Sequence, residues 1–216
     1  MRIGACQTPE VVGDIDGALR IVREFAAQAD SEKVDLLLFP ECFLQGYLIT
    51  ERHIRTWAFD VISAEFAGVL AALAGIRQTL VLGMIERSGG TYFNTALVIA
   101  RQQVIGRYRK TFLTAGESIF AAGESYPVFD LGQVRFGINI CYDTQFPQAA
   151  AAVAARHDGA GAVDTMGDRV RADFHRRIGP EDVLATPHGL TVCDATVFDV
   201  RQSCSPRRHE HCERTP

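Results

Sequence analysis

One stretch of the sequence, residues 134–147, constrains the fold more than any other. From Val134 to Ile140, apolar residues alternate with polar or small ones, which is typical of a β-strand. Cys141 follows at the predicted strand end, and Pro147 begins an alanine-rich run that predicts a helix, because proline is tolerated in a first helical turn. The stretch therefore predicts a strand, a tight turn that carries a thiol, and a helix whose first N–H groups can face negative charge.

Cys141 has two interpretations on this pattern alone. A thiol at a strand end is accessible to a substrate and can act as a nucleophile once it is deprotonated. Many cysteines in reduced proteins are instead small, buried core residues without a chemical role. The choice between the two depends on which other reactive side chains accompany the thiol.

A second stretch, Asp35 to Glu41, is a continuous apolar run that ends in a carboxylate. Such a run predicts a strand buried on both faces, and Pro40 stops its ladder pairing just before Glu41. Burial beyond the strand end would raise the pKa of Glu41 toward values that suit a general base.

A third stretch, Gly106 to Glu117, places Lys110 where a predicted strand gives way to a loop. Of the 22 basic residues in the chain, only Lys33 and Lys110 are lysines, and the others are arginines. An ammonium group can release a proton when it is desolvated, whereas a guanidinium group practically cannot. Lys110 is therefore either a functional ammonium group or an ordinary surface lysine at a loop.

Together, three short segments carry a resemblance to a known family. The segments FPE with Glu41, YRK with Lys110 and NICYD with Cys141 are similar to the three signature segments of the carbon–nitrogen hydrolase (nitrilase) superfamily. They occur in the same order and at similar spacing. Any one of them would be weak evidence, whereas three in register are a specific signal.

The resemblance covers residues 1–155 and includes the Gly46-Tyr47 pair and the segment YFNTALVI from Tyr92 to Ile99. It implies an α/β fold, the αββα sandwich of the nitrilase type. It also implies a Glu-Lys-Cys site that hydrolyses non-peptide C–N bonds.

The resemblance further implies a role for each site residue. Glu41 would take the proton of Cys141, and Lys110 would stabilise the oxyanion together with a backbone N–H near Tyr142. Glu117 would help to hold the lysine and the substrate. A water molecule activated by Glu41 would then hydrolyse the thioester, so this chemistry requires no metal and no organic cofactor.

Two aromatic residues are predicted to bind the substrate. Tyr47 lies in the loop after the Glu41 strand, and Phe146 lies in the turn after Cys141. The alternative for Tyr47 is that its ring belongs only to the hydrophobic core.

The remaining elements are predicted from hydrophobic periodicity, with a long loop over the site at residues 111–123. Helices are predicted at residues 13–30 and 60–75, and strands at residues 2–7, 34–39, 79–86, 92–100, 102–109 and 126–130. A hairpin is predicted at Ser88-Gly89-Gly90, because glycine tolerates the positive φ of tight turns.

Composition indicates an ordinary globular chain of 216 residues. A formal net charge of −4 argues against a nucleic-acid surface, and no apolar run is long enough for a membrane span. No signal peptide is evident, which predicts a cytoplasmic location with its six cysteines reduced. The predicted partner is a small-molecule amide or nitrile, and a homo-oligomer stays open.

The sequence changes character at Arg156. Apolar strand patterns stop, and five of the six histidines lie in residues 156–216. The domain prediction is therefore a hydrolase domain at 1–155 and an atypical tail at 156–216, with the C-terminal half of the sandwich incomplete or replaced. One hypothesis is an out-of-frame reading of a GC-rich gene, and another is a disordered tail. A metal site is a further alternative, although its four candidate ligands match no common zinc spacing: Cys204, His209, His211 and Cys212.

The leading functional hypothesis is a thiol hydrolase that acts on a small amide, carbamoyl or nitrile substrate. The alternative is a truncated, non-catalytic homologue or interaction subunit that keeps the signature residues. A synthase domain that channels ammonia is a third hypothesis, and it would need a partner domain.

Overall fold

The computed structural model describes residues 1–132, 134–156, 161–164, 183–185 and 190–194. Its ten strands are β1 (Arg2–Cys6), β2 (Leu36–Leu38), β3 (Thr79–Ser88), β4 (Thr91–Ala100), β5 (Gln103–Arg109), β6 (Phe129–Leu131), β7 (Val134–Asn139), β8 (Gly161–Asp164), β9 (Val183–Ala185) and β10 (Leu190–Asp194). Its α-helices are α1 (Ile15–Ser31), α2 (Glu51–Trp57), α3 (Ala64–Ala72) and α4 (Pro147–Arg156). Two short 3₁₀ helices cover Ala115–Glu117 and Cys141–Gln145.

The strands of the described ranges form two sheets. The larger has seven strands in the order β5-β4-β3-β2-β1-β10-β9, and the smaller has three in the order β6-β7-β8. Strands β1, β2 and β3 run parallel to one another, whereas β3, β4 and β5 are antiparallel. The predicted hairpin joins β3 to β4, and both of its glycines, Gly89 and Gly90, have positive φ.

Side chains that alternate along β2 show how the layers are built. Leu37 joins the core beneath α1 and α3, whereas Leu36 and Leu38 point to the opposite face of the sheet. There they pack in one cluster with Phe136 and Ile138 of the smaller sheet. The strand is therefore buried on both faces, as its continuous apolar run predicts.

Helix α4 covers the outer face of the smaller sheet. It lies so close to β7 that a Cβ at Gly137 would come within 2.5 Å of the Val153 side chain. The layers are thus helices, large sheet, small sheet and helix, which confirms the predicted αββα sandwich.

Two helices differ from the sequence predictions. The predicted helix at 60–75 is shorter, because α3 begins only after Ser63, whose Oγ accepts a hydrogen bond from the N–H of Phe66 at 3.1 Å. Helix α2 was not predicted. It has seven residues of which only His53 and Ile54 are buried, so it lacks an apolar period.

The region after residue 155 also differs from the prediction. The sequence predicts no further strand there, whereas β8 pairs in parallel with β7 and β10 pairs antiparallel with β1. These strands have three to five residues each, which is too short for a period to stand out in the sequence. The frameshift hypothesis stays a prediction, and the four tail residues proposed as metal ligands lie outside the described residues.

None of the helices in the described part of the chain has the length and apolar character that crossing a membrane requires.

Candidate active site

Glu41 lies in a turn directly after β2 that packs against β3. A Cβ at Gly83 of β3 would come within 2.0 Å of the Pro40 carbonyl oxygen, so only glycine allows this close approach. The turn is held by a hydrogen bond from the N–H of Leu44 to the carbonyl of Gly83, at 3.0 Å. The sequence thus places the Glu41 carboxylate at the sheet end, where it is almost fully buried.

Lys110 follows β5 and is completely buried. Its N–H donates to the carbonyl of Asn94 at 2.9 Å, and its own carbonyl accepts from the N–H of Gly123 at 2.8 Å. Gly123 must be a glycine for this contact, since a Cβ there would come within 2.2 Å of the Arg109 carbonyl oxygen. The far end of the loop over the site therefore holds the lysine backbone in place.

The Lys110 ammonium group binds two carboxylates. Its Nζ lies 2.7 Å from Glu41 Oε1 and 2.9 Å from both carboxylate oxygens of Glu117. The backbone N–H of Thr114 also donates to Glu117 Oε2 at 2.8 Å. The structure thus brings Glu41 together with Lys110 and Glu117, which come from a segment 69 or more residues further along the chain.

Burial and charge give the three groups different pKa values. Desolvation raises the pKa of Glu41, and Lys110 offsets this only in part. Burial would also raise the pKa of Glu117, but the N–H of Thr114 and Lys110 together hold it below its usual value. Burial disfavours the charged lysine, yet the two carboxylates raise the pKa of Lys110 to about 12. Lys110 therefore stays charged at neutral pH, and Glu41 is the better proton acceptor of the two carboxylates.

Cys141 begins the 3₁₀ turn that follows β7. Its φ of +46° is unusual for a residue other than glycine, and its carbonyl accepts a hydrogen bond from Thr144 Oγ1 at 2.7 Å. The side chain is partly buried and lines a cavity of about 360 Å³ together with Glu41 and Tyr47. The thiol and the proposed base therefore face the same space.

Tyr47 lies in the wall of this cavity, as predicted, and desolvation raises the pKa of its phenol, which keeps it neutral. Phe146 does not fit its predicted role as a substrate-binding wall. Among the described residues that line the cavity, neither Phe146 nor Tyr142 is present. Phe146 stacks on Phe112 with ring centroids 3.9 Å apart, and Tyr142 packs against its edge at 5.1 Å. The position of the Phe146 ring is therefore determined by its stacking on Phe112, which comes from a distant segment of the chain.

Asp143 is a site residue that the sequence analysis missed. It is fully buried and accepts hydrogen bonds from the N–H of Ile140 at 2.9 Å and from the N–H groups of Thr111 and Phe112 at 3.2 and 2.8 Å. The hydroxyl of Tyr108 also donates to it at 2.8 Å. Asp143 therefore ties the Cys141 turn to the segment directly after Lys110.

Asn94 of β4 was also missed as a site residue. Its side-chain Nδ2 donates to Glu41 Oε1 at 2.6 Å and to Glu117 Oε1 at 3.0 Å. In the sequence, Asn94 belongs to the YFNTALVI segment of the family resemblance, which assigns it no role. Its place in the middle strand of a predicted three-stranded run was the one available signal.

Within the described ranges, no group of three or more His, Cys, Asp or Glu side chains is arranged to hold a metal ion.

Several known proteins have sequences similar to this chain. The chain is 35% identical over 160 residues to "Hydrolase in pqqF 5'region" of Pseudomonas protegens. The aligned region covers 71% of this chain and 55% of the relative. It is 32% identical over 135 residues to a nitrilase of Pyrococcus abyssi, and this aligned region covers 60% of this chain and 51% of the relative. The chain thus spans about half the length of these relatives.

A solved structure shows the same fold. An amidase from Nesterenkonia sp. AN1, in complex with butyramide, superposes with a TM-score of 0.69 at 21% identity over 90% of each chain. The carbon-nitrogen hydrolase family model matches residues 2–186, which extends past the boundary at 155 expected from the sequence. With this match over most of its length, the chain belongs to the carbon–nitrogen hydrolase family of the nitrilase superfamily.

Proposed function

We propose that the chain is a thiol hydrolase that cleaves the non-peptide C–N bond of a small amide, carbamoyl or nitrile substrate. The observation that carries the proposal concerns three side chains. Glu41 and Cys141 line the same cavity, and the buried ammonium group of Lys110 is bound to Glu41. A base and a nucleophile that line one cavity, with a buried cation bound to the base, are the groups that acyl transfer through a thiol requires.

The first half of the reaction forms a thioester. Glu41 takes the Cys141 proton, and the thiolate attacks the carbonyl carbon of an amide. The positive charge of the Lys110 ammonium group, next to Glu41, stabilises the oxyanion. When the tetrahedral intermediate collapses, the C–N bond breaks, and Glu41 returns its proton to the departing nitrogen, so ammonia or an amine leaves.

The second half regenerates the enzyme. Glu41 takes a proton from a water molecule, whose oxygen attacks the thioester carbonyl. The C–S bond then breaks, the carboxylic acid leaves, and the proton returns to the thiolate of Cys141. The raised pKa of Glu41 suits this group to accept a proton in both halves.

The size of the cavity supports a small substrate. About 360 Å³ lies at the low end of the range of ligand pockets. The names of the relatives point the same way, since they include a nitrilase and an amidase, and the Nesterenkonia amidase was solved with butyramide. We infer that the acyl group of the substrate is of comparable size.

The second candidate is a non-catalytic homologue or interaction subunit. It is favoured by the lining of the cavity, which includes neither Tyr142 nor Phe146. In that case the signature residues would be retained without a complete pocket.

An amide and nitrile panel with ammonia detection separates the two candidates. We expect the purified chain to release ammonia from at least one small amide or nitrile and Cys141→Ala to lose this activity. Cys6→Ala is the matched control, because Cys6 is a buried thiol of β1 in the core beneath the helices. Full turnover by Cys141→Ala would refute the proposed mechanism, and no turnover by the folded wild type on any substrate would favour the second candidate.

A further inference from the structure

Asn94 occupies a position between the two carboxylates of the site. Its side chain is almost fully buried, and its single amide nitrogen donates one hydrogen to Glu41 Oε1 and the other to Glu117 Oε1. The backbone carbonyl of the same residue accepts from the N–H of Lys110. Asn94 is thus hydrogen-bonded to both carboxylates and to the backbone of the lysine that pairs with them.

The chemistry of the amide fixes its orientation. If the amide were turned over, its carbonyl oxygen would face two carboxylates and no hydrogen would lie between them. In the observed orientation Oδ1 is buried and accepts no hydrogen bond from the described residues. The side chain therefore gives up one acceptor interaction in order to donate twice to the site.

The hydrogen bonds distinguish the two oxygens of Glu41. Lys110 Nζ and Asn94 Nδ2 both bind Oε1, at 2.7 and 2.6 Å. These two donors saturate Oε1 and leave Oε2 to receive a proton. In Glu117, by contrast, both oxygens accept hydrogen bonds from Lys110.

We infer that Asn94 is a positioning residue that holds Oε1 of Glu41 so that Oε2 is presented to the Cys141 thiol, and that it assigns the role of base to Glu41 rather than Glu117. This inference rests on the proposed function. One ammonium group faces two buried carboxylates, and the amide hydrogens of Asn94 supply the additional donors that two carboxylates need.

Strand β4 holds Asn94 rigidly enough for this role. It pairs on one side with β3 and on the other with β5, and Asn94 lies opposite Ile85 in the β3 ladder. A side chain on a central strand has little freedom to follow a carboxylate that moves, which suits a group that must hold a fixed geometry.

The titratable and charged groups around Glu41 determine its response to pH. The buried thiol of Cys42 and the phenol of Tyr47 have raised pKa values and stay neutral near pH 7. The groups near Glu41 or in the wall of the same cavity are Lys110, Glu117, Cys42, Tyr47, Cys141 and Glu10. Since the hydrogen bond from Asn94 lowers the pKa of Glu41, its loss should raise that pKa further.

The test is the pH dependence of Cys141 alkylation by iodoacetamide, followed by mass spectrometry of the Cys141 peptide. This readout requires thiolate formation but no substrate. We compare the wild type with Asn94→Leu, which removes both donors at similar volume, and with Asn94→Asp, which replaces the amide by a third carboxylate. Thr95→Val is the matched control, because Thr95 is a buried neighbour on the same strand that donates to Glu86 instead.

In Asn94→Leu we expect the acid limb of the alkylation profile to move to higher pH by about one unit, the size expected for the loss of a hydrogen bond to a carboxylate. The shift should be larger in Asn94→Asp, because a neighbouring negative charge disfavours ionisation of Glu41. In Thr95→Val the limb should coincide with that of the wild type.

An unshifted limb in the Asn94 variants that keep the wild-type melting profile would overturn the inference. So would a loss of folding in both variants, since Asn94 would then be a structural residue. Neither outcome affects the proposed function, which is judged by ammonia release from wild type and Cys141→Ala. Conversely, hydrolysis that survives in Cys141→Ala would refute the proposed function while the alkylation profiles still report on Asn94.

Discussion

The strongest test of how the site is held together is the removal of Asp143. This carboxylate joins two segments that are more than 30 residues apart, because its Oδ2 accepts from Ile140 N–H and Tyr108 hydroxyl. Its Oδ1 accepts from the N–H groups of Thr111 and Phe112. Asp143→Ala removes the acceptor of all these donors. Asp143→Asn removes the acceptor only for the donors that face the new NH₂ group.

The expected magnitudes follow from counting those donors. Ile140 is buried away from solvent, whereas Thr111 and Phe112 are partly exposed and can bond to water instead of Asp143. A buried donor without a partner costs about 1–3 kcal/mol, so Asp143→Ala should lower the free energy of unfolding by about 3 kcal/mol. Asp143→Asn keeps an acceptor for Thr111 and Phe112 and strands mainly the N–H of Ile140, which gives a loss of about 1–2 kcal/mol.

Urea denaturation measures both losses through the transition midpoint. Asp130→Asn serves as the control, because Asp130 forms an exposed ion pair with Arg135 at 3.0 Å, and such pairs contribute about 0–1 kcal/mol. Both Asp143 variants should also alkylate at Cys141 with an altered rate, since the turn that carries the thiol is released. If Asp143→Asn and Asp130→Asn unfold at the same urea concentration, the assignment of Asp143 as the tie between the two segments is wrong.

Three further predictions concern the residues around the base. Gly83→Ala should lower the unfolding free energy by about 2 kcal/mol or more and impair turnover, because the new Cβ would displace Pro40. The control is Gly68→Ala on α3, where a Cβ meets nothing within 4 Å. This control should raise the unfolding free energy by about 0.5–1 kcal/mol. The acid limb of kcat/KM should lie above the ordinary glutamate pKa of about 4.3, since burial raises the pKa of Glu41, and activity should fall as pH drops through that raised value. A limb at or below the ordinary pKa would contradict this. Lys110→Met should abolish hydrolysis, and it should lower the unfolding free energy at pH 7 by about 3–5 kcal/mol because two buried carboxylates lose their cation. Thermal or urea melts measure this loss. An unchanged unfolding free energy would show that the carboxylates are neutral.

Local patterns predicted most of the secondary structure correctly. The apolar run of β2 and the alternation in β7 indicate strands, and the double glycine after Ser88 indicates the hairpin. These signals are readable because burial on one or both faces of a sheet imposes a period on the side chains. Where an element is too short for a period, as in α2 and in the strands after residue 155, the sequence analysis missed it.

The sequence by itself determined which residue types stand at the strand ends. The three segments around them were enough to predict Glu41, Lys110 and Cys141 as site residues. Only the tertiary structure decided that Asn94 and Asp143 belong to the site. The carboxylates that Asn94 binds lie 23 and 53 residues away, and the partners of Asp143 on the Lys110 side lie 31 to 35 residues away. The side chains of Asn94 and Asp143 have no periodic signal, since a buried polar group is defined by its hydrogen-bond partner. That partner becomes known only when the sheets have brought distant strand ends together.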